Sequence, residues 1–496
     1  MNAPLRRGAC PTLAAPMQTG DGLLARLNPV ASGLSPDQLT GLCQAAARHG
    51  NGIVEITARG SLQIRGLTAA SARGLAAEVD ALDIAVRAGV PVETGPLAGM
   101  DPDEIADPRP LATRIRNAIA TSGLEKHLGP KVSVVVDGGG HSALDGVAAD
   151  VRLTAGRVGD GLAWRLAVAG DSVAAIQVAD YAVPAASDAA LAVLEAIAAL
   201  GREGRARDLS WQALRGVLVE IQRSTLPPSV LPDICPTVGE IGRPLGFRQS
   251  TMFERGEIIK DSAISAVGEM SGRTEGGNVE RQLSGWEHAF GITLPLTDGR
   301  VAVTVALPFG HIHADHLADF IQRSQTLGAT EIRLAPRRAL ILLCPSDAAA
   351  AAIREAAGLA GLIIGATDAR AHIAACPGAP ACASGHIPAR ELAAGIARTM
   401  PAGSGLDLHV SGCAKRCARP GHKGLTLLGF PDGVGLALES ASREPLAMVA
   451  KERAAAAIGR VAALAAAEGR TGETQAACLA RIGKDKLTQA FEQDTR

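Results

Sequence analysis

Four cysteines stand out by their spacing. The stretch "ACPGAPACASGH" (375–386) holds Cys376 and Cys382 with five residues between them, and "HVSGCAKRCARPGHKG" (409–424) holds Cys413 and Cys417 with three between. Thirty residues separate the two pairs. Structural zinc sites prefer two to four residues inside each pair, so the wider gap fits zinc poorly. A [4Fe–4S] cubane needs four thiolates aimed at separate corners and shielded by small residues, and Ala, Pro and Gly surround these cysteines. Lys415, Arg416 and Arg419 would offset the negative charge of a thiolate-bound cluster. A cluster on Cys376, Cys382, Cys413 and Cys417 is the expectation; zinc, or buried thiols with no common role, are the alternatives. The remaining cysteines, Cys10, Cys43, Cys235, Cys344 and Cys478, are scattered and read as small buried residues.

Such a site has to be presented by strands and tight loops, and the chain shows where these lie by repeating itself. Residues 34–66 align with 312–344 without a gap, at an offset of 278. In each copy a polar opening starts an amphipathic helix and a glycine follows it (Gly50, Gly328). Two strands then flank an arginine turn (Arg59, Arg337). A second pair, 134–155 over 408–429 at an offset of 274, reads as strand, glycine-containing loop and strand. The order is module A, module B, A again and B again. Only the second B loop carries cysteines; the first has Gly139 and Ala143 at the positions of Cys413 and Cys417.

Composition narrows the classes. With 496 residues the chain has room for about three or four domains. Apolar residues reach 47% but aromatics only 2%, so Ala, Val and Leu must fill the core. A net charge of −1 with no strongly basic region argues against nucleic acid as a partner. No apolar run approaches the roughly twenty residues that cross a bilayer, and the N-terminus lacks a signal-peptide core, so a cytoplasmic location without membrane contact is expected. No nicotinamide or flavin fingerprint is convincing. The glycines of "DGGGHS" (137–142) lack the P-loop Lys-Ser/Thr and read as a tight turn bordering a pocket, while "GDGLLA" (20–25) opens a strand rather than following one. Electrons must therefore come from a partner.

The cysteine spacing on an A–B–A–B chain resembles the sulfite/nitrite reductase superfamily, over most of the sequence. More specifically, "RRGACP…MQTGDGLLARL", "RHGNGIVEITARGSLQIRGL", "KVSVVVDGGG" and "HVSGCAKRCA" resemble the precorrin-3B synthase family of aerobic cobalamin biosynthesis. The resemblance implies an α+β fold with duplicated nitrite/sulfite reductase-like architecture. Two ferredoxin-like half-domains (8–72 and 286–346) and two α/β cluster- or tetrapyrrole-binding modules (73–225 and 347–450, the latter with the cluster) would be related by a pseudo-twofold. A Pro/Gly-rich connector (226–285) and a helical tail (451–496) complete it. The implied activity is oxygen-dependent hydroxylation of precorrin-3A at C20 with closure of a γ-lactone. It would use a [4Fe–4S] cluster, a mononuclear non-haem iron and an external electron donor, a reductase or ferredoxin. In the wider superfamily the last cysteine also bridges to the iron of sirohaem, a role that would fall to Cys417. A sirohaem-dependent sulfite or nitrite reductase is the second reading, and a non-enzymatic tetrapyrrole carrier with a structural cluster is the third. The reductases hold a small oxyanion with several cations. Arg59 and Lys131 match two of these, but Ser133 stands where a second Lys is usual, and Glu93–Thr94 where Arg–Asn is usual. That pattern suits a larger substrate with several carboxylates.

Three further sets complete the candidates. Arg59, Gln63 and Arg65 alternate along a turn and strand and so share one side, either as a solvated face or as donors to substrate carboxylates. Among them Arg59 is the strongest, and its repeat partner Arg337 is expected to serve stability more than binding. "PFGHIHADH" sets His311, His313 and His316 beside Asp315, the ligand types of a non-haem iron site. The competing reading makes His313 a helix N-cap, because it aligns with Ser35, and leaves His316 on the surface.

Overall fold

The structure is a computed structural model of the chain. It describes residues 11–29, 33–159, 161–210, 212, 290–400, 406–419, 424–438, 444–471 and 473–493. The expected connector (226–285), Cys10, Cys235, the first residues of half-domain 1 (8–10) and those of half-domain 2 (286–289) lie outside the described residues.

In the first half, β1 (Met17–Thr19), β2 (Gly22–Leu27), β3 (Ile53–Ile56) and β4 (Leu62–Leu67) form an antiparallel sheet in the order β1-β2-β4-β3. Then β5 (Val92–Glu93), β6 (Val134–Asp137), β7 (Ala149–Val158), β8 (Gly161–Gly170) and β9 (Ile176–Tyr181) pair in sequence order. The first two of those pairings are parallel and the last two antiparallel. The second half repeats both sheets. Strands β10 (Thr293–Pro295), β11 (Val301–Ala306), β13 (Glu331–Ala335) and β14 (Ala339–Cys344) pair as β10-β11-β14-β13, while β12 (His311–His313) joins the other sheet. Strands β15 (Ile373–Ala375), β16 (Leu408–Ser411), β17 (Leu425–Phe430), β18 (Gly433–Leu438) and β19 (Ala447–Val449) again make two parallel and then two antiparallel pairings.

The halves are related by an exchange of edges. Ile312 of β12 pairs with Val54 of β3, and Leu34 bridges Ile332 of β13. Adding the 278-residue offset to Leu34 and Val54 gives Ile312 and Ile332, so the two contacts are one contact seen twice. The helices Pro36–His49 and Ala314–Thr326 pack together, and Gln325 Nε2 donates to Asp37 Oδ1 at 3.1 Å. Leu39, Leu42, Val54, Ile64, Val303, Leu317, Ile332 and Leu342 belong to one shared core. Each fully buried Leu or Ile there contributes about 1.5–3 kcal/mol.

The N-termini of these two helices differ. Ser35 caps the first, accepting from the Gln38 backbone N–H at 3.1 Å, while Gln38 Oε1 accepts from the Ser35 N–H at 2.9 Å. His313 occupies the same position on the second and makes no side-chain cap hydrogen bond. Forgoing that bond costs about 1 kcal/mol. The tail forms three helices, Ala454–Glu468, Gln475–Ile482 and Lys484–Glu492. Ile458, Val461, Leu479 and Phe491 sink into the core of the second α/β module, so tail and module share one interior. No helix among the described residues is long and apolar enough to cross a membrane.

Candidate metal centre and adjoining cavities

Adjacent parallel strands present two of the four cysteines. Ala375, the last residue of β15, lies opposite Val410 on β16, so Cys376 and Cys413 emerge together at the carboxyl edge of the pair. This edge is where α/β sheets bind ligands. Cys376 and Cys413 are buried, Cys382 is half-buried and Cys417 is exposed. The loop between Cys376 and Cys382 is tied by Cys382 N–H to Gly378 O at 2.7 Å, and the turn beyond it by Gly385 N–H to Cys382 O at 2.8 Å. His386 N–H reaches Gly412 O at 2.7 Å.

The residues around the sulfurs suit a thiolate-bound cluster. Gly412 N–H donates to Cys376 Sγ at 3.1 Å, the kind of hydrogen bond that stabilises a ligating thiolate. A Cβ on Gly412 would come within 2.7 Å of Gly378 Cα, and one on Gly378 would run into the Ile387 carbonyl. The loops can approach only because these positions are glycine. Burial pushes the Cys413 thiol pKa up; the Lys415 backbone N–H opposes this, and the nearby Cys382 and Cys376 add to it. Lys415 Nζ donates to Ser384 Oγ at 2.6 Å, bracing one cysteine loop on the other. Among the described residues no three His, Cys, Asp or Glu side chains converge on a point that would hold a single ion. A cubane does not need that convergence, because each thiolate binds a different iron.

The histidine set does not close into such a site. His313 and His316 approach edge to face, with ring centroids 5.7 Å apart, and both are exposed. His311 is partly buried, and burial with the neighbouring Arg390 pushes its pKa down to about 4. Its Nδ1 is buried without a hydrogen bond. All three line a cavity of about 720 Å³ together with Arg370, Arg390 and Arg398. The surface position expected for His316 and the N-cap position expected for His313 are what the fold displays.

The other candidates separate. Gln63 and Arg65 share a face of β4, as their alternation implies, but that face is covered. Gln63 lies between Arg26 and Glu55, its amide oxygen 2.8 Å from Arg26 Nη2 and its nitrogen 3.1 Å from Glu55 Oε2 in the amide orientation that satisfies both. Arg65 is 5% exposed and forked onto Asp21 at 2.9 and 3.0 Å. These two side chains meet protein partners rather than an open cavity. Lys131 is exposed and does not line the histidine cavity or either of the two arginine cavities. Arg59 donates to the Ala148 carbonyl and lines a 230 Å³ cavity with Arg87, Arg109 and Arg116.

A second cavity of 230 Å³ lies beside the cysteine loop, and Ala418 and Arg419 form part of its wall. Arg337, Arg338 and Arg370 also line it. It shares Leu144, Val147 and Pro336 with the Arg59 cavity, so the loop after "DGGGHS" borders both, while residues 137–142 line neither. Burial, with Arg390, Arg419 and Arg337 nearby, pushes the Arg338 pKa down to about 10. Its Nη2 donates to the Ala418 carbonyl at 3.1 Å. The backbone here is strained. Among the described residues six non-glycine residues adopt left-handed φ; Phe309 (54°), Arg337 (62°) and Arg338 (69°) line this cavity, and Arg416 (52°) lies in the cysteine loop. Such strain collects at binding sites, because the geometry is held for function. The sequence carried a signal for Arg338: it aligns with Gly60, a residue free to take that conformation.

The comparisons agree with this architecture. Residues 15–82 match the nitrite/sulfite reductase ferredoxin-like half domain. The fold is similar to that of the Mycobacterium tuberculosis NirA protein, with a TM-score of 0.67 at 18% identity, covering 94% of this chain and 84% of that one. The protein therefore has the duplicated nitrite/sulfite reductase architecture. A curated precorrin-3B synthase from Sinorhizobium sp is 38% identical over 496 residues, covering 99% of this chain and 96% of that protein. The chain belongs to the precorrin-3B synthase family.

Proposed function

We propose that this protein converts precorrin-3A and O2 to precorrin-3B, hydroxylating C20 while the ring A acetate closes a γ-lactone. One observation carries the reading: the identity to a protein of that name runs through essentially both chains. It favours the synthase over a sirohaem-dependent reductase.

The four cysteines are proposed to hold a [4Fe–4S] cluster, on the strength of the Gly412 hydrogen bond to Cys376 and the glycine cradle. When bound, the cluster supplies electrons singly from an external reductase or ferredoxin. Substrate carboxylates are proposed to meet the guanidinium forks of Arg337 and Arg338, with Arg59 acting from the adjoining cavity; Arg370 and Arg419 line the wall but are paired with Asp368 and Asp407. Those planar forks fix the macrocycle's orientation, so that one face is offered to the oxidant. At 230 Å³ the cavity is smaller than the roughly 300 Å³ at which ligand pockets usually begin. Binding a tetrapyrrole therefore requires the two arginine cavities to merge by displacement of Leu144 and Val147. No ligands are proposed for the mononuclear iron that the family resemblance implies.

The test is turnover of anaerobically prepared, iron-loaded protein with precorrin-3A and a reducing system of reductase and ferredoxin under ¹⁸O₂. The product should gain one labelled oxygen. Reduction of sulfite or nitrite, without incorporation of label into precorrin-3A, would overturn the assignment.

A further inference from the structure

Two features of the sequence are left without a role by the proposed reaction: the turn in "MQTGDG" and the buried arginine on β4. They meet at one peptide group. Thr19 Oγ1 shares its one hydrogen between Asp21 Oδ1 at 2.8 Å and Gly22 O at 2.7 Å, which shapes the β1–β2 turn. Asp21 receives the fork of Arg65, and Asn51 Nδ2 at 3.1 Å. Arg65 Nη2 reaches on to the carbonyl of Ala381 at 2.6 Å, and Gly20 N–H donates to that same oxygen at 3.1 Å. Ala381 immediately precedes Cys382. A Cβ on Gly20 would run into the Pro380 carbonyl and come within 2.9 Å of Ala383 N, so only glycine lets the turn approach. Behind Arg65, Glu55 pairs with Arg390 at 2.6 Å, on the helix Ala389–Thr399 that follows the cysteine loop.

We propose that the Gly20–Asp21 turn and Arg65 form a clamp from the first half-domain that positions Cys382 and, through the partly buried Asp21–Arg65 ion pair, sets the reduction potential at the cysteine site. The redox part rests on the cluster reading above; the positioning part does not. Two donors from a different domain hold the carbonyl next to Cys382, so the loop cannot swing out without breaking a charged hydrogen bond. The ion pair is nearly neutral as a whole, but its two members can be removed separately. Net charge near a cluster moves its potential, because a reduced cluster carries one more negative charge. Arg65→Met leaves the Asp21 carboxylate beside the site and should lower the midpoint potential. Asp21→Asn leaves the guanidinium with only Glu55, 3.8 Å from its Nε and already paired with Arg390, and should raise it. A purely structural role would move both variants the same way.

The experiment has two arms. In the first, the iron-loaded wild type, Arg65→Met and Asp21→Asn are titrated redox-potentiometrically by EPR, with iron content measured in parallel. Opposite shifts support the proposal; shifts of one sign, or none, overturn the redox part. In the second, the iron-free protein is treated with iodoacetamide, and Cys382 modification is followed by peptide mass. Gly20→Ala and Arg65→Lys should speed it about tenfold or more, the factor for losing a charged hydrogen bond. Unchanged rates would overturn the positioning part. Absence of an iron–sulfur signal in the wild type would sink the cluster reading and the redox part with it, and the alkylation arm would still decide the clamp. Should Asp21→Asn fail to fold, Arg65→Lys replaces it in the first arm. Keeping the charge without the fork, it should hold the potential near that of wild type while Arg65→Met lowers it; equal shifts in the two would overturn the redox part.

Discussion

The two halves share a backbone plan and have diverged in charge. In the first half the loop after β6 is backed by Asp101, Glu104 and Asp137: Asp101 accepts from the His141 and Ser142 N–H groups at 2.6 and 3.2 Å, and Asp137 from the Gly139 and Leu144 N–H groups at 3.0 and 2.8 Å. In the second half the equivalent loop carries Cys413 and Cys417 among Lys415, Arg416 and Arg419, with Arg338 at its back. The arginine turns diverge likewise. The first places Gly60 at φ 79°, which glycine adopts without strain, and the second places Arg338 at φ 69°. A duplicated fold can thus satisfy one copy with acids and backbone bonds, and leave the other with cysteines set among cations. The turns also touch, with Arg337 N–H donating to Ala58 O at 2.9 Å, so this asymmetry is concentrated near the pseudo-twofold.

The largest effect separating the halves should come from the cysteines. Cys376→Ala or Cys413→Ala is expected to remove most of the cluster iron and abolish turnover, measured by iron analysis and EPR, whereas Cys43→Ala should leave the cluster intact. Retention of the native EPR signal in Cys413→Ala would rule out its ligand role.

Next come the turns. Arg337→Ala should weaken precorrin-3A binding roughly ten- to a hundredfold, the loss of about 1.5–3 kcal/mol for a charged hydrogen bond, and Arg59→Ala by less. Equilibrium titration of both variants decides this, and unchanged affinity in Arg337→Ala would place the substrate elsewhere. The expectation from sequence is the opposite, that Arg59 binds while Arg337 supports stability; the order of losses proposed rests on Arg337 lining the cavity beside the cysteine loop and Arg59 the adjoining one.

Arg338→Gly should split two properties that usually fall together. Binding should drop about tenfold, while thermal stability holds, because the left-handed backbone costs a non-glycine residue about 1 kcal/mol that glycine does not bear. A fall in melting temperature matching the loss of affinity would show that Arg338 is there for packing.

The smallest effect lies under the first-half loop. Burial raises the Glu104 pKa from 4.5 to about 7, with the Gly99 N–H opposing and Asp101, Asp107 and Asp137 reinforcing the rise. The folded state therefore holds this proton more tightly than the unfolded state. Its contribution to stability is fully present below about pH 4.5 and is lost as pH rises through about 7. Glu104→Gln should flatten that slope and stabilise the protein by about 1 kcal/mol at pH 8, allowing for its partial exposure. Denaturant melts across pH 5–8 would show it.

The sequence by itself determined the repeat, the cysteine ligand set as a hypothesis, and the secondary structure around both. Offsets, strand alternation and glycine positions are local and survive without coordinates. The swap of β12 onto β3 was already implied in the aligned residues, since Leu34 and Ile312 occupy one repeat position, but nothing local says which sheet an edge segment joins. Alternation correctly put Gln63 and Arg65 on one face. It could not show that Arg26, Glu55 and Asp21 would cover that face, because those partners come from other strands and turns. Only the tertiary structure decided that Arg65 meets the cysteine loop, that Arg338 rather than Lys131 faces a cavity, and that three nearby histidines line one cavity with His311 buried at Nδ1 and the other two exposed. Each of these depends on where a side chain from one module ends relative to a backbone atom in another. Periodicity sets the direction in which a side chain leaves its own strand; what it meets there is set by packing between modules.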